Sequence, residues 1–404
     1  MGDTVFVLGG AQTDFAQRSV SRGATMSEYM VSASLAAMTT ANIDAVELDS
    51  LHIGSAATGD ASTLDTSGRA LVRSIPAVNG IPMMRHEAGG ASGSAALLAA
   101  VAEISSGRSD VVMVVGAEVM TVTSGAGDRH SHRGFDRCRL DRLTEFDVRD
   151  HCFDQVAEIY RQRYGLSQVH LDALRTKALD NARNNPFARS RGMGTDATSA
   201  SAISEVEHDV SVSLDVRDTD GAAAVILASP RFAHRWTQRT GTSLDRLARI
   251  DGWGYRTCFV DPPGSGDAGD DLLFPQVRAT MIDAMSRAGI ANVDEFDLME
   301  VHDSCSLAEY VAIDHLGITA PGQSWQAVES GSCLRTGTLP MNPSGGLTGI
   351  GHPLGATGVR MVWDASRQVC GLAGEAQVAQ ASRALALNAS GAFSTVAAFV
   401  VIRG

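Results

Sequence analysis

Lysine is nearly absent from this chain. Among 404 residues there is one, Lys177, against 32 arginines. The skew follows the base composition of a GC-rich genome and carries no functional signal by itself. Long apolar runs are missing as well. Those present are short, Val111–Val115 and Val396–Ile402 among them, far below the roughly 20 residues of a membrane span, and these two read as buried strands. Met1-Gly2-Asp3 opens neither a basic stretch followed by an apolar one nor a lipidation context, so no signal peptide is expected. Positive charge is in deficit: 33 cationic and 46 acidic side chains leave a formal charge of −13. That balance excludes an ordinary duplex nucleic-acid binder. The six cysteines have no paired spacing. They form neither a disulfide framework nor a zinc site and are expected as reduced thiols of a cytoplasmic protein, with one catalytic cysteine a candidate among them. No metal site and no permanently bound cofactor are expected.

What is present describes a globular α/β chain. A hydrophobic content of 44% with 20% charged residues allows a sizeable core and is not the composition of a disordered protein. The first residues read strand, loop, helix, strand: Val5–Leu8 ended by Gly9-Gly10, a helical pattern over Met26–Asn42, then Leu48–Ile53. The order returns later, with a helix over Leu272–Gly289 and a strand over Phe296–Val301. Asp49 and Asp297 align at an offset of 297 − 49 = 248. Ala91-Ser92-Gly93 and Ala356-Thr357-Gly358, each opening a helix that leads to a strand, align at 356 − 91 = 265. The strands are Val111–Gly116 and Ala384–Asn388. An internal duplication is the reading.

Residues from about Thr121 to Ser204 have another texture. Arg129, Arg133, Arg137, Arg139 and Arg142 crowd a loop with Asp128, Asp136, Asp141 and Glu145 among them. Helices follow around Asp154–Tyr164 and His170–Asn184, and the regular pattern resumes at Val212–Val216 and Ala222–Leu227. The expected organisation is an N-terminal half of residues 1–120 and 205–232, an inserted loop region of 121–204 and a C-terminal half of 233–404. The arginines read as a solvated face paired to the acids, with phosphate binding as the alternative.

Four segments interrupt the regular pattern with small and polar residues. Glu87-Ala88-Gly89-Gly90-Ala91-Ser92-Gly93-Ser94 makes a tight turn into the helix Ala95–Ile104, where backbone N–H groups can face developing negative charge. Ser92 and Ser94 read as helix-start residues, because the Gly-x-Ser-x-Gly elbow is not in register. Val301-His302-Asp303-Ser304-Cys305-Ser306 puts an imidazole at a strand end, a position suited to acid–base work. Asn342-Pro343-Ser344-Gly345-Gly346 precedes Gly351-His352-Pro353-Leu354-Gly355-Ala356-Thr357-Gly358. The fourth is Asn388-Ala389-Ser390-Gly391. Two histidines in such settings point to one shared site.

Together these segments resemble the thiolase superfamily, most closely the sterol-carrier-protein type, across nearly the whole chain. The His352 stretch resembles the family's histidine motif, Val301-His302-Asp303 the His-Asp form of its second motif, and Asp220-Gly221-Ala222-Ala223-Ala224 a further segment. The resemblance implies a duplicated αβαβα five-layer thiolase fold, an inserted region that binds coenzyme A, and a homodimer or dimer of dimers. In such thiolases the nucleophilic cysteine directly precedes Ala-Ser-Gly; here that place is Gly90. The usual C-terminal acid–base cysteine corresponds to Asn388. The cysteine that can follow the His-Asp pair is replaced by Ser304, and Cys305 stands one residue later, on the other face of an extended chain.

Gly90 cannot form an acyl-enzyme. Its N–H remains a candidate oxyanion donor, His302 a partner in that site, and His352 the proton carrier. Asn388, Gly391 and Ser344 are candidate substrate-binding residues, and Cys305 an alternative thiol. The implied substrate is an acyl-CoA thioester. The reaction is C-acyl transfer, or carbon–carbon bond formation or cleavage through a stabilised enolate. Two alternatives stand beside it: an aldolase-type lyase that cleaves a 3-hydroxyacyl-CoA with a small OB-fold partner, and a catalytically silent acyl-CoA-binding subunit.

Overall fold

The structure, a computed structural model, describes residues 4–17, 19, 23–57, 64–121, 145–192, 219–258 and 272–404. The arginine-rich loop, Cys138 and Val212–Val216 lie outside the described residues. The first half contains β1 (Val5–Gln12), α1 (Met26–Ala41), β2 (Ser50–Gly54), α2 (Leu64–Ser74), β3 (Met83–His86), α3 (Ser92–Ser105) and β4 (Val111–Glu118). Next come α4 (Glu145–Tyr164) and α5 (Gln168–Ala182), then β5 (Gly221–Ala228) and α6 (Pro230–Thr240). The second half runs through β6 (Ala248–Thr257), α7 (Pro275–Ala288), β7 (Leu298–Val301), α8 (Ser306–His315) and α9 (Ser324–Glu329). It ends with α10 (Gly346–Ile350), α11 (Leu354–Val369), β8 (Arg383–Ser390) and β9 (Thr395–Arg403).

The strands form one sheet in the order β3-β2-β4-β5-β1-β6-β9-β8-β7. Its seam is the short antiparallel pairing of β1 with β6, Val5 opposite Ile250. Outward from the seam the halves repeat each other. β1–β5 and β5–β4 are antiparallel and β4–β2 is parallel; β6–β9 and β9–β8 are antiparallel and β8–β7 is parallel. β3 pairs parallel with β2, and a parallel bridge from Met341 to Met299 takes the equivalent place.

The duplication reaches individual atoms. Asp49 accepts the N–H groups of Asp110 and Val111 at 2.7 and 2.9 Å. Asp297 accepts those of Ser382 and Arg383 at 2.7 and 2.8 Å. Leu51 donates to the Pro82 carbonyl and Met299 to that of Pro340, both at 2.9 Å. Each aspartate follows a single turn with a capping box, Asp44 with Glu47 and Asn292 with Glu295.

Three apolar clusters account for five layers. One lies between the first-half strands and the outer helices α1 and α6. Another surrounds α3 and α11, which pack on each other between the two halves of the sheet. α11 is buried along nearly its whole length, as expected of a helix with protein on every side. The third fills the outer face of the second half beneath α7 and α8. Phe153, Val156 and Tyr160 of α4 and Leu171 and Leu174 of α5 belong to that third cluster. The inserted helices therefore pack on the second half, although the chain leaves for them from the first.

Gly9-Gly10 was expected to end β1. The strand instead runs on to Gln12 with an irregularity between Val7 and Gly9. A Cβ on Gly9 would stand 2.5 Å from the Ala41 amide nitrogen, so glycine there admits the end of α1 to the sheet. The two aligned Ala-x-Gly stretches have a related purpose. A Cβ on Gly93 would strike the Gly355 carbonyl and one on Gly358 the Ser94 amide nitrogen, at 2.5 and 2.6 Å. They mark where the central helices cross.

Candidate active site

The crossing of α3 and α11 brings the four sequence segments together. Asn388, at the C-terminal part of β8, donates through Nδ2 to the Gly90 carbonyl and to Ser94 Oγ, both at 3.0 Å. A carbonyl only accepts, so this contact fixes the amide orientation and leaves Oδ1 as acceptor. His302 Nδ1 is 3.0 Å from that Oδ1 and therefore carries a proton. Past the end of β7, the His302 ring stands edge-on to His352, with centroids 5.1 Å apart at 86°.

The His352 tautomer follows in the same way. Thr357 Oγ1 donates to the Pro353 carbonyl at 3.0 Å. Its single proton is thereby used, and at the 2.7 Å contact with His352 Nδ1 it accepts. Neutral His352 thus presents an unprotonated Nε2. The His352 backbone N–H donates to Thr219 Oγ1 at 2.8 Å, which fastens the turn before α11. A Cβ built on Gly90 would stand 3.1 Å from His352 Nε2 and 3.1 Å from the Ala389 carbonyl oxygen. The imidazole faces the place where a side chain at 90 would begin.

The other expected residues fall as follows. The Gly90 N–H, taken as an oxyanion donor, donates to Ser390 Oγ at 3.1 Å, because the hydroxyl at the end of β8 reaches the turn before α3. Ser92 has a structural role: its hydroxyl accepts from the Ala88 N–H and donates to the Gly89 carbonyl. Ser344 Oγ donates to Glu300 at 2.6 Å and accepts from Arg360 at 3.3 Å, both residues fully buried. Gly391 makes the turn after β8 with φ +55°. Cys305 is fully buried in the apolar cluster of the second half's outer face. Sequence reasoning gave no role in the site to Thr219, to Thr357 as a hydrogen-bond partner, to Ser390 within the fourth segment or to the lone lysine, Lys177.

Buried carboxyls surround the site. Burial, and then the charge of Glu309, push Asp303 up to about 8. Burial, and then the charge of Asp364, push Glu300 up to about 7. Burial also brings Glu118 to about 7, although it accepts the Ala56 and Gly355 N–H groups at 2.8 and 3.2 Å. Among the described residues no cluster of His, Cys, Asp or Glu could hold a metal ion, and no helix is long and apolar enough to cross a membrane.

Two family descriptions match the sequence: "Thiolase, N-terminal domain" over residues 5–190 and "Thiolase C-terminal domain-like" over residues 266–403. The chain belongs to the thiolase family. An acetyl-CoA acetyltransferase from Methanothermobacter thermautotrophicus is 27% identical over 342 residues, 83% of each thiolase-family chain. Sterol carrier protein 2 from Homo sapiens is 28% identical over 79% of this chain and 58% of its own length, so the chain spans under two thirds of that relative. A solved Ltp2-ChsH2(DUF35) aldolase shares the thiolase fold with a TM-score of 0.77 at 18% identity, over 99% of this chain and 98% of that one. Human mitochondrial 3-ketoacyl-CoA thiolase in complex with CoA does so at 0.70 and 18%, with the same coverage.

Proposed function

We propose that this protein is a thiolase-like enzyme that makes or breaks a carbon–carbon bond beside an acyl-CoA thioester without a cysteine nucleophile. The observation that carries this reading is the pair His302 and His352, each anchored through Nδ1 with Nε2 as its working nitrogen. When the pair shares one added proton, it offers a base and a cationic donor at one buried site. The donor holds the enolate oxygen of the thioester and the base moves the proton. Coenzyme A thioesters enter as substrates, no cofactor is permanently bound, and a homodimer or dimer of dimers in the cytoplasm is the working assembly.

Gly90 favours one version of this chemistry, retro-aldol cleavage of a 3-hydroxyacyl-CoA. The C3 hydroxyl proton passes to a histidine Nε2. The C2–C3 bond breaks, its electron pair moves to form the thioester enolate, and a carbonyl compound leaves. C2 then takes a proton to give the shortened acyl-CoA. No acyl-enzyme is required, so a glycine at position 90 is no obstacle. The fold shared with the Ltp2-ChsH2(DUF35) aldolase supports this version, with a small OB-fold protein as the partner.

Incubation with 3-hydroxyacyl-CoA thioesters, alone and with such a partner, tests the reading. Release of an aldehyde or ketone, lost in His352→Ala, is the expected result. An acyl adduct in the intact mass would instead make the enzyme a covalent transferase. CoA binding with neither product nor adduct would make it a silent subunit.

A further inference from the structure

Lys177 is the single lysine of the chain, and its side chain is 2% exposed. From α5 its ammonium pairs with the buried Glu309 carboxylate of α8 and donates to the Met341 carbonyl at 3.0 Å. A buried cation needs such partners to replace its hydration, and a compact ammonium on a flexible stem meets two of them where a planar guanidinium is bulkier.

Asp303 feels the charges of both members of this pair. It follows His302 in sequence, and its carboxyl accepts the N–H of Leu347 at 2.6 Å and that of Thr348 at 3.3 Å. Its carbonyl accepts the Thr348 hydroxyl at 3.0 Å. The residue after one histidine thus holds the start of α10, which leads through Gly351 to the other. The stretch after Lys177 grips the same segment from the opposite side. Asn181 donates to the Asn342 carbonyl and Asn185 to that of Ser344, both at 2.9 Å. The N–H groups of Arg189 and Ser190 donate to the carbonyls of Ile350 and Gly349 at 2.9 and 3.1 Å.

We propose that Lys177 is a positioning residue of the site: its ammonium ties the Glu309 carboxylate of α8 to the Met341 carbonyl and so seats the segment from Met341 to His352, which Asp303 grips at α10, fixing the spacing of His302 and His352. The role rests on reading those histidines as the reacting pair. The groups that face one another in this pocket are Lys177 from α5, Glu309 from α8, Asp303 from the β7–α8 loop and the Cys333 thiol, which responds to the charges of Lys177 and Glu309. Burial and Glu309 raise the Asp303 carboxyl, and Lys177 opposes that rise. Without the ammonium, Glu309 is left a buried carboxylate without its cation and the Met341 carbonyl loses its donor, so the segment that leads to His352 shifts.

A single lysine makes the test direct, because ¹⁵N-lysine labelling yields one side-chain ammonium signal. In the wild-type protein that signal is expected to persist against solvent exchange, as for an ammonium held by Glu309 and the Met341 carbonyl; a signal lost to solvent exchange overturns the role. In Lys177→Met the histidine ring signals shift and acyl-CoA turnover falls on the order of 100-fold, the cost of a misplacement of about 1 Å. Adding Glu309→Gln removes the carboxylate left without its cation and restores part of both. Unchanged ring signals in folded Lys177→Met, or no recovery in the double variant, also overturn the role. A wild type that turns over no acyl-CoA thioester, while the ring signals shift in Lys177→Met and recover in the double variant, counts against the functional reading and supports the positioning role.

Discussion

His352 Nε2 stands 3.1 Å from the point where a Cβ on Gly90 would begin. The imidazole is aimed at a side chain the sequence does not supply. Gly90 is helical in its backbone and lies outside the left-handed region, so a small residue can be installed if its neighbours yield by a few tenths of an ångström. Gly90→Cys is expected to fold and to gain an acyl adduct from a short acyl-CoA, read by intact mass. The wild type should gain none. An unmodified cysteine variant that still binds CoA would show that His352 cannot activate a thiol there.

Thr357 sets the His352 tautomer, because its own proton is spent on Pro353. Thr357→Val keeps the shape and removes the acceptor. Turnover should fall about fivefold with little change in KM, since a hydrogen bond of about 1 kcal/mol is lost from the orienting group. His352→Ala should cost on the order of 10²–10⁴-fold. Steady-state kinetics on the same substrate separates the two.

Asn388 joins both halves of the chain, contacting His302, Gly90 and Ser94 at once. Asn388→Leu leaves these buried groups without their partner. A loss of about 1–3 kcal/mol is expected for a buried group so exposed, measured by denaturant unfolding. Thr39→Ala, on the outer face of α1, serves as the neutral control.

Glu118 has a definite pH signature. Its carboxyl is raised by burial from 4.5 to about 7, so the folded state binds a proton that the unfolded state has released. Its contribution to stability is complete below about pH 4.5 and is lost as the pH rises to 7. The slope for one such proton is about 1.4 kcal/mol per pH unit. Glu118→Gln keeps an acceptor oxygen and no longer titrates. Its unfolding free energy between pH 5 and 7 should therefore decline less steeply than that of the wild type. Parallel curves would show that Glu118 ionises normally in the folded protein.

The internal repeat makes a paired prediction. Asp49 and Asp297 each accept two backbone N–H groups at equivalent strand starts. Asp49→Ala and Asp297→Ala should destabilise by similar amounts, about 1–3 kcal/mol each. Widely different losses would mean that the two halves do not share this support energetically.

The duplicated architecture was legible because alignment at Asp49 and Asp297 rests on local patterns that each half repeats. The histidine segments were legible because glycine, proline and small residues interrupt otherwise periodic stretches. Gly9-Gly10 misled for the converse reason. The pair looks like a turn in sequence, and only the approach of Ala41 from α1 explains it.

What the sequence determined by itself was the fold class, the four segments and the glycine at position 90. What the tertiary structure decided was every pairing among them. Ser390 takes the Gly90 N–H across 300 residues, Asn388 reaches Gly90 across 298, and the lone lysine meets Glu309 across 132. Periodicity and turn chemistry report only on neighbours along the chain, whereas hydrogen bonds and buried charges are settled by whichever group the packing of α3, α5 and α11 brings within about 3 Å.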